Sequence, residues 1–109
     1  MAQILLGNSS ETLGERLATL LTNRGHRVTP SSADHSLEDT LRRRGWEFEI
    51  VILDVSNNDA RTQHDLAAVK RYKMRHGPKP MLLCVSRVYR GPGFELELEC
   101  RGARVVYVR

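Results

Sequence analysis

Long apolar runs are missing from this 109-residue sequence, and none approaches the ~20 residues that a membrane span needs. The start, Met1-Ala2-Gln3-Ile4, has neither a charged leader region nor an extended apolar stretch, so no secretory signal is expected. Cysteine is scarce. Cys84 and Cys100 are the two present, and two cysteines without other staples fit a reducing, cytoplasmic setting in which both are free, buried thiols. The histidines, His26, His35, His64 and His76, lack HxxxH or HxH spacing, which argues against a metal site. His64 and His76 fall twelve apart, too far to share an ion at a helical rise of ~1.5 Å per residue. Ser9 and Ser10 stand outside any GxSxG elbow, and Gly91-Pro92-Gly93 reads as a turn, with no phosphate-binding loop or dinucleotide fingerprint elsewhere. No enzyme activity is expected.

What is there is globular in character: 40% apolar and 28% charged residues, in a length that makes one domain over 1–109. Internal repeats and low-complexity segments are absent. The formal net charge is +4, concentrated in two runs: Arg42, Arg43 and Arg44, then Lys70, Arg71, Lys73, Arg75 and Lys79. Such runs are ordinarily solvated helix faces, and they also permit contact with nucleic acid or an acidic partner.

Short apolar runs alternate with amphipathic stretches, which predicts βαβ units on a parallel sheet. Ile4-Leu5-Leu6 is the first strand. Leu13, Leu17, Leu20 and Leu21 follow as one helical stripe, with Thr12 and Glu15 as a capping box and Gly25 as its left-handed stop. Arg27-Val28-Thr29 is a short second strand closed by Pro30. Ser36 opens a second helix with Leu37 and Leu41 inward, and Gly45 ends it. Trp46 and Phe48 are expected in the core. Ile50-Val51-Ile52-Leu53 is continuously apolar, as a strand buried on both faces should be, and Asp54 follows at once. A third helix runs from about Arg61 to Arg75, burying Leu66, Val69 and Tyr72. Met81 to Val85 is the fourth strand and Val105 to Val108 the fifth. Phe94 to Cys100 has two readings. Its strict alternation is a strand signature, and a hairpin with the last strand would use it. A parallel sheet instead needs a crossover there, which favours a short helix with Pro92 in its first turn.

Four stretches together resemble the receiver domain of two-component response regulators: Ile4 to Leu13, Leu20 to Val28, Ile50 to Asp54, and Arg101-Gly102-Ala103 with Val105 to Arg109. The resemblance implies a flavodoxin-like, doubly wound parallel sheet in the strand order 2-1-3-4-5, incomplete at the C-terminus because the fifth helix is missing. It places Asp54 at the phosphoacceptor position. The acidic pair falls on Asn8 and Ser9, the terminal lysine on Arg109, and the switch hydroxyl on Ser86 or, shifted by one, on Val85. The switch aromatic falls on Val106, with Tyr107 beside it.

Aspartyl phosphorylation in such a domain relies on a magnesium ion, which wants carboxylate oxygens. With Asn8 and Ser9 neutral, Asp54 alone would hold it, so magnesium binding is expected to be weak and no cofactor is expected. Arg109 could form a bidentate pair with Asp54 in the ion's place. The expectation is therefore a degenerate receiver that binds a protein partner, or a second copy of itself, through the region from the fourth strand to Arg109. A nucleic-acid-binding domain using the two basic runs is one alternative, and a receiver still phosphorylated at Asp54 is another. No membrane partner is expected.

Overall fold

The computed structural model describes residues 2–7, 11–31, 36–56, 60–89, 91–100 and 102–107. Along them run β1 (Gln3–Leu6), α1 (Glu11–Asn23), β2 (Arg27–Pro30), α2 (Leu37–Arg44), β3 (Ile50–Asp54), α3 (Ala60–His76), β4 (Met81–Ser86), α4 (Pro92–Cys100) and β5 (Ala103–Tyr107). A single 3-10 turn, Gly45–Glu47, leads from α2 towards β3. The five strands form one sheet in the order β2-β1-β3-β4-β5, every pairing parallel. This is the doubly wound, flavodoxin-like arrangement that the resemblance implied.

Each element follows from local chemistry. β1 and β3 lie inside the sheet, and their apolar runs are buried almost throughout. β2 is an edge strand, where Pro30 leaves no needed ladder donor missing. Ser36 caps α2 by accepting the Asp39 N–H on its Oγ at 3.2 Å. Glu38 and Asp39 sit in the first turn of α2 and Arg42, Arg43 and Arg44 in its last, each sign at the end the helix dipole favours. Gly25 adopts φ 86° after α1, the left-handed stop its position predicted.

The strand alternation sends side chains to two unequal cores. The larger packs Leu5, Val51, Leu53, Leu82 and Cys84 against Leu37 and Leu41 of α2, Leu66 and Val69 of α3, and Leu98 of α4. The smaller gathers Ile4, Leu6, Ile52 and Val85 under Leu17, Ala18 and Leu21 of α1. Residues 94–100 are helical, as the crossover requires, and the hairpin reading does not hold.

Several expectations are corrected. Leu20 is 52% exposed and Trp46 79% exposed, because the one turns off the face of α1 that meets the sheet and the other sits on the 3-10 turn; Phe48 alone of the aromatic pair is buried. Cys100 is exposed at the end of α4, whereas Cys84 is buried in the sheet. α1 already runs at Glu11, so Thr12 lies within the helix rather than at its cap. β5 starts at Ala103, two residues earlier than expected, because Ala103 pairs with Leu82; Val108 lies outside the described residues. Among the described residues, no helix is long and apolar enough to cross a membrane.

Candidate functional site

Parallel strands in one sheet bring their carboxyl ends to one edge, and a doubly wound fold binds its ligands there. Asp54 ends β3 at that edge and is buried, with its Cα opposite that of Val85 on β4. Its Oδ1 accepts the Ser56 N–H at 2.9 Å, a tight turn by which the side chain holds its own following loop. The ladder continues one step past the strand, where the Val55 N–H donates to the Val85 carbonyl at 2.8 Å. Ser56 Oγ in turn accepts the Arg87 N–H at 2.9 Å. The loops that leave β3 and β4 are thus joined through hydrogen bonds.

Ser86 is the hydroxyl-bearing residue at the end of β4 and is fully buried. Its Oγ donates to the Val88 carbonyl at 2.7 Å and accepts the Val88 N–H at 3.1 Å, so the hydroxyl clamps the start of the next loop. Val85 instead sends its side chain into the smaller core. On β5, Val106 lies opposite Val85 and Tyr107 opposite Ser86. The Tyr107 ring meets that of Tyr89, from the loop after β4, with centroids 5.3 Å apart. Asn8, Ser9 and Arg109, the remaining expected members of this site, lie outside the described residues.

β4, α4, β5 and the loop after β4 expose several large apolar side chains among charged ones such as Glu97, Glu99 and Arg104. Met81, Val88, Tyr89, Leu96, Val106 and Tyr107 are all exposed. Sequence reasoning named Val106 and Tyr107 here and missed Tyr89, whose place beside Tyr107 depends on the course of a loop that carries no periodicity.

The basic residues are brought together only in part. Arg42, Arg71 and Arg75 line a cleft between α2 and α3, whereas Lys70 and Lys73 line a shallow depression with Gly77, Cys100 and Gly102. Acids interrupt the charge. Glu38 pairs with Arg42 at 3.5 Å and Arg71 at 3.3 Å, Asp39 with Arg42 at 3.6 Å, and Glu47 with Arg44. Arg43 is exposed on α2.

Two histidines have plain structural roles: His26 Nδ1 accepts the Ala2 N–H at 3.0 Å, and His76 packs on Tyr72. His64 reaches Glu38 at 2.9 Å, and His35 lies outside the described residues. Burial pushes the Cys84 thiol up to about 12, which keeps it protonated and inert at neutral pH.

Solved structures of the same shape place this arrangement. A Vibrio cholerae chemotaxis protein superposes with a TM-score of 0.73 at 21% identity, over 99% of this chain and 85% of its own. The receiver domain of a Francisella response regulator gives 0.72 at 11% identity, over 98% and 84%. The chain has a receiver-domain fold. A Burkholderia thailandensis protein assigned to pilus assembly shares that receiver fold with it, at a TM-score of 0.72 and 25% identity, over 98% of this chain and 85% of its own. No family model and no curated protein matches the sequence.

Proposed function

We propose that this chain is a degenerate receiver-like signalling module of the cytoplasm, one that acts by binding a protein partner and not through ordinary magnesium-dependent phosphorylation of Asp54. The observation that carries the reading is the donor set at the carboxyl edge. After β1 the sequence supplies Asn8 and Ser9, neutral groups, and Asp54 Oδ1 already takes the Ser56 N–H. A hard divalent ion needs concentrated negative charge, so these donors do not fit it well. Proteins assigned to chemotaxis and to pilus assembly share the shape.

The partner surface in this reading is the region of β4, α4 and β5 with its exposed apolar side chains, where the Tyr89–Tyr107 pair supplies a large, stiff anchor of the kind that dominates binding interfaces. A second copy of the chain or a different protein would serve equally.

Incubation with acetyl phosphate and magnesium, followed by intact mass, tests the phosphorylation half of the proposal. The expected result is the unmodified mass. A phosphoryl adduct that disappears in Asp54→Asn would overturn it.

A further inference from the structure

Between α2 and α3 lies a cavity of about 340 Å³, at the lower end of the volumes that hold small ligands. Its floor is apolar, with Leu41 and Ala68 buried and Tyr72 half-buried. Its rim is basic. Arg71 and Arg75 of α3 stand four residues apart on one helix face, and Arg42 faces them from α2. Glu38 is the one carboxylate in the lining, against three guanidiniums, and Asp39 just outside it also pairs with Arg42 at 3.6 Å, so one guanidinium, that of Arg75, is left over. Glu38 serves to hold Arg71 across the gap at 3.3 Å and Arg42 at 3.5 Å, while His64 approaches it from outside the lining at 2.9 Å. Among the described residues, Arg75 makes no ion pair with an acid. The Tyr72 and His76 rings, 4.4 Å apart and tilted by 32°, give the cleft an aromatic edge.

We propose that this cleft binds a phosphomonoester carried on a small planar group, of the size and chemistry of a nucleoside monophosphate. Three guanidiniums facing one cleft, that of Arg75 without an acidic partner among the described residues, match an anionic phosphoryl group. Guanidinium forks match phosphate oxygens in a way that an ammonium does not. The apolar floor and the aromatic edge give the planar body a surface to lie against. The short, half-open cleft favours a small molecule over a nucleic-acid backbone, which needs an extended basic track. The site shares no residue with the carboxyl edge of the sheet, so it stands or falls independently of the reading of Asp54.

The test is a titration of the full chain with adenosine 5′-monophosphate, read by amide NMR and calorimetry, with inorganic phosphate and adenosine as separate arms. The expected result is saturable binding with shifts concentrated on α2 and α3, and weaker binding of both fragments. Arg75→Ala is expected to weaken binding about tenfold, as losing one charge-assisted hydrogen bond would, with unchanged circular dichroism. Lys70→Ala, outside the cleft, is expected to leave it unchanged. Absence of shifts, equal binding of inorganic phosphate, or indifference to Arg75→Ala would each overturn the proposal. So would tight, length-dependent binding of an oligonucleotide that the nucleotide fails to compete.

Discussion

A β-carbon placed on Gly45 would come within 2.4 Å of Tyr72 Cζ, although its φ of −57° suits any residue. Lack of volume, not backbone freedom, therefore makes this residue glycine. It is what lets α3 approach the end of α2. Gly45→Ala is expected to cost about 1–3 kcal/mol in urea denaturation, the usual penalty of overpacking, and adding Tyr72→Ala should recover part of the loss. None of this was legible in the sequence, where Gly45 reads as a helix stop. Trp46 misled for a related reason. Hydrophobicity reports what a side chain prefers, while exposure at 79% reports that no element passes over the turn that carries it. Asp54, by contrast, was legible. A lone carboxylate directly after a strand buried on both faces has few places to lie except the edge of a parallel sheet.

At the scale of the element, the stretch from Phe94 to Cys100 shows why periodicity alone could not decide. As a strand it would put Phe94, Leu96 and Leu98 on one face. As a helix it keeps Phe94 and Leu98 together on the larger core and turns Leu96 away, 62% exposed. The deciding fact is remote from those residues: β4 and β5 are parallel neighbours, so the chain between them must cross over. The basic runs teach a similar lesson. Read along the chain they are two basic runs that permit contact with nucleic acid. Folded, they divide between a cleft and a separate depression, and Glu38, Asp39 and Glu47 neutralise part of the charge. Binding to duplex DNA, followed against salt by fluorescence anisotropy, is accordingly expected to give a shallow slope, equivalent to no more than about three phosphate contacts. A steep slope would favour the nucleic-acid reading.

For the molecule as a whole, the parallel sheet was legible in the alternating apolar runs and helical stripes, while the strand order came only from the resemblance to receiver domains. The partner surface was legible only as a region, since which of its side chains meet depends on loops. Stability can be read at this scale through Cys84, a thiol in the middle of the sheet. Its pKa rises from 9.0 to about 12 on folding because burial penalises the thiolate. Above pH 9.0 the unfolded chain loses this proton and the folded chain keeps it. The native state thus loses about 1.4 kcal/mol per pH unit from this group until the pH reaches its folded value. Chemical denaturation between pH 9 and 11 should show that decline, and Cys84→Ala should remove this part of it while lowering stability at neutral pH.

The joined loops after β3 and β4 carry a last consequence. Arg87 depends on Ser56 for its acceptor, and Ser56 depends on Asp54 for its own. Whatever draws the Asp54 carboxylate outward, be it an ion, a proton or a neighbouring guanidinium, slackens the first turn and then deprives the second of its anchor. The backbone leading to Tyr89 would feel a disturbance at Asp54 along a relay of two hydrogen bonds, with the packed interior left at rest.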